Sequence, residues 1–276
     1  MTYKYNTINS KTLKLQVNAS PTFVDAFNSL YSLLEFPDYN LVLTECERLV
    51  RSENPKVAQE ALSNVRGLWY QWLIGLSWRH YNNINPKPLL LVKLPNKNAS
   101  KWHRLYEKKI TQLIDELENK IAKDNISLET SNPDFVILEV QDSKRIIYDM
   151  FLTTDYLSKM DNEYLQHLGA VMYGALPAFL SIKTSLRPDR RLQTQFEATM
   201  IKALQAYLAT RQWDLTTPSS NFYVVVNATP NKEDFKSLSA LAAHSLVIPL
   251  VKPQKLVDLL IQVNNYKTAE DLFNLL

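Results

Sequence analysis

Three residues in the second half of the chain have the types and the order that phosphodiester hydrolysis requires. Asp134 follows a proline at the head of an apolar run, Lys183 lies within the run AFLSIKTS, and Glu197 lies on the helix predicted to follow it. Hydrolysis assisted by a divalent cation needs hard oxygen ligands, which two carboxylates can supply. A nearby lysine can orient the attacking water or stabilise the pentacovalent phosphate. These three residues are therefore candidate catalytic residues.

Each of these residues also has an ordinary structural explanation. A Pro-Asp pair is common at turns, an early-helix glutamate usually complements the helix dipole, and Lys183 could be an edge-strand residue that faces water. However, alternation along the strand puts Ser181, Lys183 and Ser185 on one face. A lysine inside a strand that otherwise looks buried is uncommon, because desolvating an ammonium group is costly without a partner. Asp134 can reach the same cleft if its strand neighbours that of Lys183.

The segment between Lys183 and Glu197 carries a second pattern, in which Arg187, Asp189 and Arg190 lie close together. Arginine can donate two hydrogen bonds to O6 and N7 of guanine, and aspartate can accept one from N4 of cytosine in the major groove of DNA. A solvated basic loop that opens a helix would also explain these charges. It would not explain their register relative to the lysine.

The run FLSIKTSLRPDRRLQTQFEATM resembles the PD-(D/E)XK nuclease signature in the variant used by the CCGG group of type II restriction endonucleases, the NgoMIV-like group. In that variant the acidic residue two positions before the lysine is replaced, here by Ser181. A glutamate on the next helix takes over, here Glu197. The group's Arg-x-(Asp/Glu)-Arg motif begins at the fourth residue after the lysine, where Arg187 stands. The motifs span residues 133 to 197, and the resemblance extends over roughly the second half of the chain.

This resemblance implies an α/β fold of the PD-(D/E)XK restriction-endonuclease type, with a central mixed sheet flanked by helices. It also implies Mg²⁺-dependent cleavage of double-stranded DNA at a CCGG-centred palindrome, with A or T on each side and 5′ CCGG overhangs. Asp134 and Glu197 would hold the metal ion. Water would attack the scissile phosphate in line, without a covalent enzyme intermediate.

The resemblance assigns further residues to recognition and to the metal site. Arg187 and Arg190 would read the guanines, and Asp189 the cytosines. The family has an additional helix glutamate near the metal. Glu60 is our candidate for it, while Glu53 or a simple surface role for Glu60 are the alternatives.

The resemblance and the palindrome also predict partners. A palindromic site favours a two-fold homodimer, and since the group includes dimers and tetramers, we expect a homodimer or a higher homo-oligomer on double-stranded DNA. A cognate DNA methyltransferase is expected as a functional companion and not as a subunit. Two alternatives stay open: another PD-(D/E)XK nuclease with a repair or structure-specific role, and a DNA-binding protein without catalysis.

Composition excludes several other classes of protein. The 276 residues are 46% apolar, and Lys+Arg 31 against Asp+Glu 28 gives a net charge of +3, which permits nucleic-acid binding without requiring it. The lone cysteine, Cys46, excludes an intramolecular disulfide and a Cys-rich zinc site. The glycines form no phosphate-binding loop. No signal peptide or membrane-length apolar run is present, so we expect a cytoplasmic protein that does not act at a membrane.

Periodicity and turn residues predict the elements that must position these side chains. The N-terminal helical region is predicted over 21–50 with a turn at Pro37-Asp38. The rest is predicted as helices about 55–78, 101–124, 156–176, 192–209, 231–244 and 254–264, and strands 89–92, 134–140, 145–151, 178–185 and 222–227. Another short apolar run covers 246–251. We expect a helical N-terminal region over 1–50 and a catalytic and DNA-recognition domain over 51–276.

The last residues, TAEDLFNLL, predict a short helix with Leu272, Phe273, Leu275 and Leu276 exposed unless they pack on something. We expect this helix to pack across a subunit boundary.

Overall fold

The structure is a computed structural model, which describes residues 4–8, 15–31, 36–95, 101–140, 152–214, 220–247 and 253–276. The chain folds into two compact units. Unit 1 comprises Met1–Lys87, Lys144–Met160 and Val263–Leu276, and unit 2 comprises Pro88–Ser143 and Asp161–Gln262. The division into 1–50 and 51–276 stays a prediction. The strand predicted over 145–151 and the 248–251 part of the run 246–251 lie outside the described residues.

The described strands and helices follow in chain order. The strands are β1 (Asn6–Ile8), β2 (Leu15–Val17), β3 (Leu89–Lys93), β4 (Phe135–Glu139), β5 (Ala178–Lys183), β6 (Asn221–Val226) and β7 (Leu259–Gln262). The α-helices are α1 (Ala19–Leu30), α2 (Tyr39–Glu53), α3 (Gln59–Ile84), α4 (Lys108–Ala122), α5 (Thr154–Asn162), α6 (Pro188–Arg211), α7 (Lys232–Leu238), α8 (His244–Val247) and α9 (Tyr266–Asn274). Two 3₁₀ turns cover Trp102–Leu105 and Glu163–His167 among the described residues.

Unit 2 contains a mixed five-stranded sheet in the order β3-β4-β5-β6-β7. β3, β4 and β5 pair antiparallel, whereas β5, β6 and β7 pair parallel. The central mixed sheet expected from the sequence is therefore confirmed. β5 is the middle strand, so the alternative in which Lys183 lies on an edge strand and faces water is wrong.

Helices α4 and α6 contribute to the apolar core of unit 2, which also includes side chains of the sheet. The i, i+3, i+4 spacing of apolar residues on α6 buries one stripe of that helix, as expected for a helix that covers a sheet. An edge-on contact between Trp102 and Phe179, with ring centroids 5.1 Å apart, fixes the 3₁₀ turn against β5. Core residues of α4, the sheet and α6 include Ile110, Ile114, Val136, Leu138, Phe179, Phe222, Val224, Ala198, Ile201, Leu204 and Leu208. This packing fixes α6 relative to the strands that carry the candidate site.

Unit 1 is mainly helical in its described residues. The predicted turn at Pro37-Asp38 is present, because the Asp38 side chain accepts hydrogen bonds from the backbone N–H groups of Asn40 and Leu41 and caps α2. The terminal helix α9 packs within this unit on α3, where the ring centroids of Phe273 and Trp78 are 5.2 Å apart.

The sequence left the apolar residues of α9 exposed unless they pack on something, and two of them near the end of the helix are packed. Leu272 and Phe273 are fully buried, and only the following Leu275 is clearly exposed. Lys87 and Tyr81 also hydrogen-bond to α9. A helix that is covered inside its own unit gives no support to a role across a subunit boundary.

Two further predicted elements differ from the structure. The helix predicted over 254–264 is wrong, since residues Leu259–Gln262 form β7, which pairs parallel with β6. Short apolar runs do not distinguish helix from strand by periodicity, and here pairing with the sheet decides. The helix predicted over 156–176 ends at Asn162. Gly169 and Gly174 follow with φ of 70° and 88°, a backbone conformation that ends regular structure and favours glycine.

None of the described helices is long and apolar enough to cross a membrane.

Candidate active site

Asp134 and Lys183 meet where β4 begins and β5 ends. Because the two strands are antiparallel neighbours, the residue before β4 lies beside the last residues of β5. The backbone N–H of Ile182 donates to Oδ2 of Asp134 at 2.5 Å, and Nζ of Lys183 lies 3.5 Å from the same oxygen. Both side chains are almost fully buried. The condition for a shared cleft, that the two strands neighbour each other, is met.

Glu197 reaches the same place from helix α6. Its carboxylate is buried and accepts two hydrogen bonds, from Oγ of Ser181 to Oε2 at 3.2 Å and from Nε2 of Gln193 to Oε1 at 3.0 Å. Burial raises the pKa of Glu197. The positive charge of Lys183 opposes that rise, the negative charge of Asp134 adds to it, and the two hydrogen bonds oppose it. Opposite and like charges therefore both act on this carboxylate.

The contact between Ser181 and Glu197 gives a physical meaning to the swapped carboxylate. Ser181 and Lys183 are two residues apart on β5, so their side chains lie on the same face of the strand. The serine is fully buried, and its neutral hydroxyl group brings no charge to this face. The Glu197 side chain, which comes from α6, supplies the carboxylate beside it.

The donor set fits a magnesium ion better than a zinc ion. Within the described part of the chain, no group of three or more His, Cys, Asp and Glu residues could hold a metal ion. Magnesium is usually bound by one or two carboxylates together with substrate phosphates and waters. Asp134 and Glu197, which are close enough for their charges to interact, provide that number of oxygen ligands.

A second buried lysine near the site was not identified from the sequence. Lys93 ends β3, and its Nζ donates to Oδ1 of Asp161 at 2.7 Å. Burial lowers the pKa of Lys93, while the negative charges of Asp161 and Asp134 raise it. The sequence does show a lysine at the end of the apolar run LLLVK, which could have indicated a buried charge. Its partner became evident only from the fold.

Arg187, Asp189 and Arg190 are exposed at the start of α6. Arg187 is the N-cap residue, proline occupies the first helical position, and Asp189 lies in the first turn, where a negative charge is favourable. The exposed fractions of the three side chains are 66%, 63% and 44%. Oδ2 of Asp189 is 3.3 Å from Nη2 of Arg187 and 3.9 Å from Nε of Arg190. The carboxylate thus links two guanidinium groups that solvent, or a ligand, can reach.

The neighbouring arginine, Arg191, has a different environment. Its Nη1 donates to Oδ1 of Asp234 at 2.7 Å, and the Asp234 side chain is almost fully buried. Asp234 also forms the capping box of α7 with Asn231. Arg191 therefore ties α6 to α7, a distinction that the sequence RPDRR does not reveal.

Gln193 links the arginine segment to the buried carboxylate, and the sequence did not single it out. Nη1 of Arg190 donates to Oε1 of Gln193 at 3.2 Å, and Nε2 of Gln193 donates to Oε1 of Glu197 at 3.0 Å. The only signal was helical spacing, since residues three and four apart are neighbours on a helix surface.

The two candidates for an additional acidic residue belong to unit 1. Glu60 lies in the first turn of α3 and is exposed. Glu53 accepts hydrogen bonds from the backbone N–H groups of Lys4 and Tyr5, both at 2.8 Å, so its carboxylate holds the chain before β1. The cluster of unit 2 includes neither glutamate, and the role of Glu60 stays a prediction.

Comparison with known proteins shows one consistent relationship. The family model of the Cfr10I/Bse634I restriction endonucleases matches residues 40–276. The type II restriction enzyme Cfr10I of Citrobacter freundii is 29% identical over 217 residues, which cover 76% of this chain and 76% of that protein.

Solved structures of Bse634I share the fold. The crystal structure of the type IIF restriction endonuclease Bse634I with cognate DNA superposes with a TM-score of 0.85 at 21% identity, covering 98% of this chain and 96% of that one. Another Bse634I structure gives a TM-score of 0.86 at 22% identity, with coverage of 97% and 94%. The PD-(D/E)XK-type fold expected from the sequence is confirmed.

Proposed function

Because the chain belongs to the Cfr10I/Bse634I restriction endonuclease family and is a type II restriction endonuclease, we propose that it uses Mg²⁺ to cut double-stranded DNA at a CCGG-centred palindrome. One observation carries the proposal. Helix α6 presents Arg187 and Arg190 to solvent at its start, and further along it holds Glu197 beside the buried Lys183. A single rigid element thus carries groups suited to reading bases and a group suited to the reaction.

The chemistry is direct hydrolysis. Asp134 and Glu197 would hold the Mg²⁺ ion, which would supply positive charge to offset the negative charge of the scissile phosphate oxygens and to activate the attacking water. The Ile182 amide orients the Asp134 carboxylate, and Ser181 orients that of Glu197. Lys183 carries up to three N–H donors beside these groups and can donate to a phosphate oxygen or to the attacking water. No covalent enzyme intermediate is required.

Base recognition is assigned to the exposed segment. Arg187 and Arg190 read the guanines by bidentate hydrogen bonds to O6 and N7, and Asp189 accepts from N4 of the cytosines. The support for this assignment is their exposure and the spacing to the site, together with the contacts of Asp189 to both guanidinium groups. Two symmetry-related copies of the segment cover the four central base pairs.

The flanking bases are proposed from the resemblance alone. The chain length, the helical N-terminal part and the run KTSLRPDRRLQ look most like the group member BsaWI. That resemblance favours A or T on each side of CCGG, with cleavage before the first C and 5′ CCGG overhangs.

Assembly and the additional acid complete the proposal. A palindromic site favours a two-fold homodimer or a higher homo-oligomer on the DNA, with a cognate methyltransferase as a separate companion enzyme. Glu60 is proposed as the further acidic residue of the metal site. Its exposure leaves its carboxylate available to a ligand.

Cleavage of phage DNA tests the activity and the recognition site together. Incubating the purified chain with phage DNA and Mg²⁺ should give discrete fragments, which chelation of the metal abolishes. Sequencing the fragment ends should show 5′ CCGG overhangs flanked by A or T. A smear would instead indicate a nuclease without sequence specificity, and discrete fragments with other ends would refute the CCGG assignment.

Arginine variants test which residues read the bases. Arg187→Ala and Arg190→Ala should each lower the preference for CCGG-containing over scrambled duplexes by about tenfold to a hundredfold, since a bidentate pair contributes roughly 1–3 kcal/mol of discrimination. Non-specific, salt-sensitive binding should persist. Arg191→Ala is the matched control, because Arg191 is engaged by Asp234 and its loss should leave the preference unchanged. Equal losses of affinity for both duplexes would make the segment a clamp on the DNA backbone.

A further inference from the structure

We propose that Gln193 is a positioning residue that couples base reading by Arg190 to the carboxylate of Glu197. The inference rests on the proposed function, because it connects the residues assigned there to recognition and to metal binding. The proposed function assigns Gln193 no contact with the bases or with the reacting phosphate, so the coupling is an additional role for this side chain.

The first step of the argument is the continuity of the hydrogen bonds. Arg190 donates to Oε1 of Gln193 at 3.2 Å, and Nε2 of Gln193 donates to Oε1 of Glu197 at 3.0 Å. These hydrogen bonds connect an exposed guanidinium group to a fully buried carboxylate through three side chains of one helix. Because residues three and four apart on a helix are neighbours, a rotamer change of one side chain alters its hydrogen bond to the next.

The second step is the polarity of the amide, which suits both neighbours. The amide oxygen faces the positively charged Arg190, and the amide nitrogen faces the negatively charged Glu197. Turning the amide over would place its N–H₂ against the guanidinium donors and its oxygen against the carboxylate. Both contacts would become repulsive, so Arg190 and Glu197 together select one orientation of Gln193.

The third step concerns Glu197 itself. Its two oxygens are held by different donors, Ser181 from β5 and Gln193 from α6. The serine lies on the central strand of the sheet, so its contact does not depend on DNA. Gln193 is held in part by Arg190, a residue assigned to the bases, so its contact with Glu197 can respond to DNA. Loss of the Gln193 contact therefore leaves one oxygen of the metal-binding carboxylate without its fixed donor.

A consequence follows for discrimination between DNA sequences. At the correct site a guanine holds Arg190 where it also donates to Gln193. At a wrong base pair Arg190 turns to other acceptors on the DNA and releases the glutamine, so cleavage falls more than binding does. Gln193 thus makes the rate of cleavage depend on the base pair that Arg190 contacts.

The experiment is a double-mutant cycle on the full chain with a matched glutamine as control. Gln193→Met removes both amide contacts at similar volume. Gln195→Met is the control on the same helix, since Gln195 bonds to Ser237 of α7 and to neither Arg190 nor Glu197. Each variant is combined with Arg190→Ala. Three quantities are measured: the single-turnover cleavage rate, the affinity for the duplex, and the calorimetric affinity of Ca²⁺ for the enzyme–duplex complex.

We expect Gln193→Met to lower the cleavage rate by about tenfold to a hundredfold, the range for a hydrogen bond to a charged group. Ca²⁺ affinity should fall severalfold, while duplex affinity changes little. In the Arg190→Ala background Gln193→Met should have little further effect on the rate, because the chain is already broken. Gln195→Met should leave the rate and the Ca²⁺ affinity unchanged in both backgrounds.

Different failures point to different assignments. If the wild type cleaves and the effects of Gln193→Met and Arg190→Ala simply multiply, the coupling is refuted and the proposed function stands. An unchanged affinity of the Gln193→Met variant for Ca²⁺ also refutes the coupling. If the wild type shows no metal-dependent cleavage of any DNA, the proposed function itself fails, and the coupling fails with it.

Discussion

Lys183 and Lys202 are two of the buried lysines of unit 2, and they differ in how their ammonium groups are held. Lys202, on α6, donates to Oδ2 of Asp258 and to the backbone carbonyl of Lys255, both at 2.7 Å. Lys183, at the end of β5, forms an ion pair of 3.5 Å with Asp134. Both lysine side chains are thus buried, but Lys202 forms two short hydrogen bonds whereas Lys183 forms one longer contact.

The difference separates a structural lysine from the lysine that we propose to be reactive. An ammonium group has three N–H donors, and leaving them unsatisfied in a buried place is costly. Lys202 meets that cost with two short bonds, and Asp258 also accepts from the backbone N–H of Phe222. Lys183 lies beside two carboxylates, and its ion pair with Asp134 is longer than the bonds of Lys202. The longer contact at a buried position, and not burial itself, distinguishes the candidate site.

The largest effect should come from removing the site residues. Asp134→Ala, Lys183→Ala and Glu197→Ala should each lower single-turnover cleavage by at least about a hundredfold, the loss typical of one preorganised electrostatic group. Circular dichroism should show that each variant keeps the fold, because no large apolar contact is lost. Asp134→Ala should unfold at a lower temperature, because it removes the ion-pair partner of buried Lys183. Wild-type cleavage by Glu197→Ala would show that the swapped carboxylate has been assigned wrongly.

Lys202→Met should produce the opposite result and so sharpen the comparison. Loss of two hydrogen bonds from a charged donor should lower the free energy of unfolding by about 1.5–3 kcal/mol. Asp258 keeps its bond from Phe222 and is partly exposed, which limits the loss. Below its unfolding temperature the variant should cleave at the wild-type rate, measured beside denaturant unfolding. A stable variant with impaired cleavage would remove the distinction between the two lysines.

His103 extends the comparison to a buried group without partners. It is fully buried, neither ring nitrogen has a hydrogen-bond partner among the described residues, and burial lowers its pKa to about 4. In the unfolded chain the pKa of this histidine is near 6.5. As the pH falls, the unfolded state therefore binds a proton at His103 before the folded state does. Stability should be lost from about pH 6.5 downwards, and the loss should stop growing below about pH 4.

His103→Leu should remove this pH dependence. Between about pH 7.5 and about pH 5 the wild type should lose about 2 kcal/mol more than the variant in the free energy of unfolding. Denaturant titrations of both proteins at each pH measure the difference. Parallel pH profiles would show that the histidine finds a proton acceptor in the folded chain.

The smallest expected effect concerns the stability of Glu197→Gln. Since burial raises the pKa of Glu197, its ionised form is disfavoured in the folded chain at neutral pH. The neutral variant should unfold at the same or a slightly higher temperature than the wild type while losing cleavage. This advantage should disappear as the pH falls through the raised pKa, because Glu197 then becomes protonated. Lower stability of Glu197→Gln at neutral pH would contradict the assigned direction.

Much of the site could be predicted from the sequence because its parts are local. Strand alternation put Ser181 and Lys183 on one face, and a helix starting near Pro188 carried Glu197 and the arginines in fixed register. These relations follow from periods of two and 3.6 residues and need no knowledge of the fold. Family membership and the mixed sheet agree with that expectation.

Contacts between distant segments could not be predicted. Sequence alone did not show that Arg191 is engaged by Asp234 while Arg190 is exposed, or that Lys93 pairs with Asp161. It also assigned a helix where β7 completes the sheet, because a run of three apolar residues satisfies either period.

The sequence by itself therefore determined which residue types stand at which spacing along β5 and α6, since strand and helix geometry act over a few residues. Only the tertiary structure decided which charged groups are satisfied. The pairing of β4 with β5 brings Asp134 to Lys183, and the packing of α6 brings Glu197 to Ser181. Whether a buried charge is stabilised or left available depends on atoms far away in the chain, because electrostatic interactions and desolvation are set by distance in space.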